Sequence, residues 1–138
     1  MSRENVQVVR EIYEAAARHD RDAVLSLYDP EVEFDATGHP LTKLIGGRRA
    51  YHGHEGLQEF FHQRNEALED VKDEVEELID AGERVVTVWS ARGRGRASGV
   101  EVELLRAGGL FTLRDGKVVH VRFFPTREDA LKAAGIRA

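Results

Sequence analysis

The sequence predicts an α+β fold in which a curved, mostly antiparallel sheet wraps around helices packed against one of its sides and leaves a hollow. Three observations carry that expectation. Apolar residues recur at helical spacing up to about Leu68, four strand-like runs joined by tight-turn signals follow, and a short capped helix closes the chain. This order points to a pocketed domain more directly than to any one reaction.

The elements follow in turn. Ser2 is the expected N-cap of a first helix whose apolar face is Val6, Val9, Ile12, Tyr13 and Ala16. Asp20 caps a second, short helix through Ala23, Val24, Leu27 and Tyr28, which Asp29-Pro30 stops. Val32 and Phe34 alternate with Glu31, Glu33 and Asp35 as a short strand, and the long connection from Thr37 to Gly53 is a candidate lid. A third helix spans about His54 to Glu66, with Leu57, Phe60, Phe61 and Leu68 as its stripe. The acidic stretch from Glu66 to Glu83 reads as a solvated strand that discourages edge-to-edge aggregation.

Turn signals set the expected registers of the sheet. Pairing about Ser98-Gly99 sets Arg96 opposite Glu101 and Arg94 opposite Glu103, which brings opposite charges together on one face. Pairing about Asp115-Gly116 sets Leu113 opposite Val118, Phe111 opposite His120 and Leu110 opposite Val121. Gly108-Gly109 suggests a bulge that bends the sheet. Thr126 and Asp129 form a capping-box-like start to a terminal helix that Gly135 ends.

Composition narrows the function classes. With 138 residues the chain is expected to be one domain, spanning 1–138. No stretch approaches the roughly 18 apolar residues of a membrane span. A net charge of −5 argues against bulk attraction to nucleic acid or anionic membrane. There are no cysteines, so disulfides and thiolate chemistry are excluded. The first residues, MSRENVQVV, carry no apolar core of signal-peptide type, so the cytoplasm is the expected location.

Four stretches carry a family resemblance: Leu27-Tyr28-Asp29-Pro30-Glu31-Val32-Glu33-Phe34, Tyr51-His52-Gly53-His54-Glu55-Gly56, Ser98-Gly99-Val100-Glu101-Val102, and Leu113-Arg114-Asp115-Gly116-Lys117-Val118 with Arg122 following. In these the chain resembles the SnoaL-like branch of the nuclear transport factor two-like superfamily. The resemblance implies a cone-shaped roll, with the sheet wrapped around three N-terminal helices, a short C-terminal helix, a deep pocket, and a homodimer formed through the sheet's outer face. It carries fold rather than reaction, since relatives include ketosteroid isomerases, polyketide cyclases, epoxide hydrolases and members that only bind. Ketosteroid isomerases use a tyrosine on the first helix, an aspartate base, and a protonated aspartic acid that donates to the oxyanion. In this chain the tyrosine position is Tyr13, the base position is Ala36 with Asp35 beside it, and the later aspartate position is near Gly109. Cyclases and epoxide hydrolases use an aspartate on the last strand, where this chain has Val121, Arg122 and Phe123.

Three residues are candidates for catalysis. Asp35 is a candidate general base, although its parity opposes Val32 and Phe34. Tyr13 is a candidate oxyanion donor, and His54, which shares a helical face with Leu57 and Phe61, is a second candidate base. Trp89, Phe34, Phe60, Phe61, Val121, Phe123 and His120 are candidate ligand contacts, with the pocket either open or filled by Phe60, Phe61 and Phe123. His52, His54 and His62 lack metal-ligand spacing, so neither metal nor cofactor is expected. The Arg92-Gly-Arg-Gly-Arg96 run alternates at period two and reads as a solvent or dimer face, not a nucleic-acid segment. The expected function is an apolar small-molecule pocket. Proton transfer on a carbonyl compound, binding without chemistry and protein docking by a dimer all stay open.

Overall fold

The computed structural model describes residues 2–42 and 49–136. Helix α1 (Ser2–Ala17) and α2 (Arg21–Ser26) lead into β1 (Tyr28–Asp35), β2 (Ala50–His52) and α3 (Gly53–Ala67). Strands β3 (Leu68–Ala81), β4 (Arg84–Gly95), β5 (Glu101–Arg114) and β6 (Lys117–Phe124) follow, and α4 (Arg127–Ala133) closes the fold. The strands form one open sheet in the order β2-β1-β6-β5-β4-β3. β1 runs parallel to β6, and every other neighbouring pair is antiparallel. This is the expected α+β cone.

Two apolar clusters occupy the two sides of the sheet. Val9, Ile12 and Ala15 of α1, Val24 of α2, and Leu57 and Phe60 of α3 pack against Val32, Phe34, Trp89, Phe111 and Val121 inside the cone. On the outside, Ala130, Leu131 and Ala134 cover Val86, Leu110 and Phe124. Local chemistry agrees with these ends. Asp20 accepts a hydrogen bond from the Ala23 N–H (3.1 Å), and Thr126 accepts one from the Asp129 N–H (3.2 Å).

Several boundaries and registers differ from the sequence expectation. α2 stops at Ser26, before Tyr28, because Tyr28 already pairs with Val118 and the Val118 N–H donates to the Leu27 carbonyl (3.0 Å). Pro30 then lies in the part of β1 where pairing with β6 is interrupted, between Tyr28 and Glu33, so its missing N–H costs the ladder nothing. β2 is a strand that the sequence pattern does not reveal, inside the stretch expected to be a lid. Arg48 and the rest of residues 43–48 of that stretch lie outside the described residues.

The β4–β5 hairpin is two residues out of its expected register, with Arg94 opposite Glu101 and Arg92 opposite Glu103. A longer connection causes this. The Gly99 N–H closes on the Gly95 carbonyl (2.9 Å), while the Arg96 N–H is drawn back to the Ala67 carbonyl at the end of α3 (3.0 Å). A slip of two keeps every side chain on its face, so charged rows still meet.

The β5–β6 hairpin begins as expected, with Leu113 opposite Val118. Val119 is then an extra residue, so Thr112 meets His120 and Phe111 meets Val121. Val118 and Val121 are three apart, and only a bulge between them turns both inward. The bulge expected at Gly108-Gly109 lies instead at Leu105 and Arg106, which together oppose Ser90, and Arg106 has φ 54°. Two more fall in β3, one between Glu69 and Lys72 and one between Val75 and Glu77. The paired glycines serve closeness. A Cβ on Gly108 would lie 2.6 Å from the Thr126 carbonyl oxygen and 2.7 Å from Ala130 Cβ, so its absence lets the start of α4 lie against the sheet.

Candidate ligand-binding site

Aromatic rings from five elements fill the middle of the cone. Phe34 of β1 meets Phe60 of α3 at 4.9 Å between centroids, Phe123 of β6 at 5.2 Å and Tyr51 of β2 at 6.1 Å. Trp89 of β4 meets Phe123 at 5.9 Å. The candidate contacts Phe34, Phe60, Trp89, Val121 and Phe123 are thus brought into one buried cluster. At this level the cone is filled.

The cluster also holds His39, which sequence reasoning missed. Its ring lies 4.6 Å from Phe123, 5.0 Å from Trp89 and 5.4 Å from Phe60. Gly38 makes the insertion possible, because a Cβ there would sit 2.2 Å from the Phe123 carbonyl oxygen. His39 Nδ1 accepts the Leu41 N–H (3.1 Å), which assigns the ring proton to Nε2. Burial, assisted by the nearby Arg64 charge, lowers its pKa to about 3, so the ring is neutral near neutral pH. The one signal in the chain was a histidine between Ala36 and Leu41, in a segment with its own apolar positions.

Beyond the rings the cone opens. A cavity of about 1170 Å³ lies between the α1–α2 junction, the last turns of α3 and the far ends of β3, β4 and β5. Val24, Phe61, Val71 and Ala91 give it an apolar patch, Arg64 and Asp73 give it a shielded charged pair, and charged residues such as Asp20, Lys72, Arg94 and Glu103 line much of the rest. Arg64 Nη1 donates to Asp73 Oδ2 at 3.0 Å, with the two side chains 17% and 15% exposed. Tyr13 lies deeper, donating to Thr87 Oγ1 (3.1 Å), and burial raises its pKa so that the phenol keeps its proton. Two buried donors, Trp89 Nε1 and Arg64 Nε, have no hydrogen-bond partner among the described residues.

The other candidates lie elsewhere. Asp35 Oδ1 accepts the Thr37 N–H (3.0 Å), and Asp35 is paired in register with Arg122 on the side of the sheet away from Phe34. Partial burial opposes its ionisation, but the Thr37 hydrogen bonds and the Arg122 and His120 charges outweigh burial and lower its pKa. His54 Nε2 donates to the Tyr28 carbonyl (2.9 Å) and ties α3 to β1. His120 lies in register with Glu33, apart from Val121 and the rings. The structure therefore does not bring Asp35, His54 or His120 to the cavity. His52 bridges Glu33 (2.7 Å) and Glu31 (2.9 Å) on the surface, and these hydrogen bonds raise its pKa. Among the described residues no group of three or more metal-ligating side chains forms.

The sequence model of the SnoaL-like domain matches residues 9–121. The chain belongs to the SnoaL-like domain family. No curated protein matches it. Solved structures share the SnoaL-like architecture closely. An NTF2-like protein of unknown function from Burkholderia pseudomallei K96243 is 23% identical, with a TM-score of 0.77 over 94% of this chain and 95% of that one. TerC, co-crystallised with polyporic acid, is 23% identical, with a TM-score of 0.75 over 88% and 90%. A Mycobacterium tuberculosis protein in complex with estradiol-17β-hemisuccinate is 16% identical, with a TM-score of 0.72 over 88% and 92%. Among the described residues of this SnoaL-like domain, no helix is long and apolar enough to cross a membrane.

Proposed function

We propose that this SnoaL-like domain binds a bulky, largely apolar small molecule in the mouth of the cone. The observation that carries it is the cavity of about 1170 Å³ beside the ring cluster, in which Phe61, Val24, Val71 and Ala91 form an apolar patch around a shielded ion pair within an otherwise charged lining. Such a patch removes water from a ring system and retains a polar contact to orient it. The ring-bearing compounds held by TerC and by the mycobacterial protein agree in kind.

Binding is favoured over the proton-transfer chemistry considered from sequence. Asp35 and His54 are engaged with Thr37 and Tyr28 away from the cavity, and neutral His39 is a weak base. Asp73, a carboxylate on the cavity wall, is held by Arg64, and the Tyr13 hydroxyl is held by Thr87 outside the cavity lining. A homodimer through the outer face and a cytoplasmic location, without nucleic-acid partners, belong to the same proposal. Sedimentation at micromolar concentration tests the dimer.

Native mass spectrometry with estradiol-17β-hemisuccinate and polyporic acid tests the pocket. At least one is expected to be retained at one molecule per chain and released unaltered on denaturation. A Phe61→Asp variant, which puts a charge into the apolar wall, is expected to weaken retention at least tenfold. Retention of neither compound would overturn the proposal, and recovery of an altered compound would replace binding with catalysis.

A further inference from the structure

We infer that residues 37–42 form an acid-released plug, a self-contained turn that seats the His39 ring among Phe60, Trp89 and Phe123 and withdraws when that ring is protonated, opening the inner end of the cone. This goes beyond ligand binding in the mouth and stands independently of it.

The turn is tied to itself. The Thr37 N–H donates to Asp35 Oδ1 (3.0 Å), the His39 N–H and the Thr42 hydroxyl donate to the Ala36 carbonyl (3.0 and 2.7 Å), and the Thr42 N–H donates to the His39 carbonyl (3.1 Å). Among the described residues, no hydrogen bond of residues 37–42 reaches beyond residues 35–42. Packing is what holds the plug in the cone, since His39 and Leu41 are buried and the ring touches Phe60 of α3, Trp89 of β4 and Phe123 of β6. It can leave without breaking a pairing between strands.

The latch is one nitrogen. With the ring proton on Nε2, a second proton must go to Nδ1, the atom that accepts the Leu41 N–H (3.1 Å). Protonation therefore breaks the bond that sets the turn, sets two N–H groups against each other, and places a charge among apolar rings. The surroundings do not offset that charge. Arg64 of α3 repels it, and Asp73 of β3 is held by Arg64. Glu55, Glu59 and Glu66 of α3 are exposed to solvent. Phe34 of β1, Thr87 and Trp89 of β4, and Val121 and Phe123 of β6 are the buried neighbours, and none of them carries a charge. Tyr13 of α1 keeps its proton. Outside the cone the protonated ring is hydrated, so binding the proton favours the withdrawn state. Withdrawal uncovers Phe60, Trp89 and Phe123 and turns the filled inner end of the cone into an apolar compartment.

Amide hydrogen exchange of the wild-type protein, followed by NMR at pH 7 and pH 5 with and without about 1 M urea, tests the plug. After allowance for the intrinsic exchange rate, the Leu41 N–H is expected to lose about 25-fold of its protection between pH 7 and pH 5. A ring that takes a proton near pH 6.5 when withdrawn and only near 3 when seated favours withdrawal by about that factor. The opening is local, so Leu41 should be protected at least about tenfold less than Val86, in the middle of the β3-β4-β5 ladder, and should not share its dependence on urea. His39→Asn, whose amide oxygen can still accept the Leu41 N–H but takes no proton, is expected to change by about threefold or less over the same range. The wild-type measurement does not depend on that variant. Leu41 protection that matches Val86 in level and urea dependence, or that does not fall between the two pH values, would overturn the inference and leave the site at the mouth untouched. An equal fall in His39→Asn would overturn it as well.

Discussion

Gly38→Ala is expected to lower stability by about 3 kcal/mol, with the urea midpoint falling accordingly and the m-value little changed. The new Cβ would lie 2.2 Å from the Phe123 carbonyl oxygen, 3.1 Å from its carbonyl carbon and 3.4 Å from Phe124 Cα, all of them backbone atoms. β6 cannot retreat, because it is held between β1 and β5. Relief must come from the segment after β1, which carries buried His39 and Leu41. Lifting that segment exposes Leu41, at roughly 1.5–3 kcal/mol for a large aliphatic side chain, and withdraws His39 from the ring cluster. Gly82→Ala is the matched control. It also introduces a methyl group, but meets nothing within 4 Å, and its φ of +79° limits the expected loss to about 1 kcal/mol. A Gly38→Ala midpoint no lower than that of Gly82→Ala would show that β6 and the inserted segment are not in rigid contact.

Acid should weaken the fold well above the range where carboxylates titrate. His39 has an ordinary pKa near 6.5 when unfolded and about 3 when folded. Above pH 6.5 the ring is neutral in both states and its packing contributes in full. Between pH 6.5 and about 3 the unfolded chain binds a proton that the folded chain does not, so stability falls as pH falls, by up to about 1.4 kcal/mol per pH unit. From pH 7 to pH 5 the expected loss is about 2 kcal/mol. His52 works in the opposite direction, since its pKa is raised in the fold and protonation there favours the native state. It is solvent-exposed, so the comparison that isolates His39 is the wild type against His39→Asn, whose amide oxygen can still accept the Leu41 N–H. The variant is less stable at both pH values but should show a clearly smaller difference between them, measured by urea unfolding. An unchanged difference would mean that another group carries the acid sensitivity.

The fold is legible in the sequence because its largest signals are local. Helical spacing marks α1 and α3, Asp20 and Thr126 mark helix starts, and Asp115-Gly116 marks a hairpin. Registers are less legible where distant packing decides them. Arg96 is pulled toward Ala67 and Asn65 at the end of α3, and no pattern within the hairpin records that pull. The site shows the same division. Phe60, Trp89 and Phe123 stand out as apolar residues on periodic elements. Arg64 and Asp73 read as surface charges until α3 crosses β3, and His39 reads as a loop residue until Gly38 brings it beneath Phe123. Asp35 draws notice because it stands beside the position of the base in ketosteroid isomerases, while the alternation about Phe34 already points it the other way.

The bulges have a common arithmetic. Leu104 and Ala107 on β5, and Val118 and Val121 on β6, point into the cone three residues apart, where a regular strand would space them by two. Val75, which faces Trp89, and Leu78 on β3 repeat the interval. Each interval holds one residue more than its partner strand, so removing Val119 would leave Val121 and Phe123 facing inward while abolishing the local bend. Curvature is therefore stored as strand length and not as residue type. A lineage can widen or narrow the mouth of the cone by gaining or losing single residues at such places, without rewriting the inward-facing side chains.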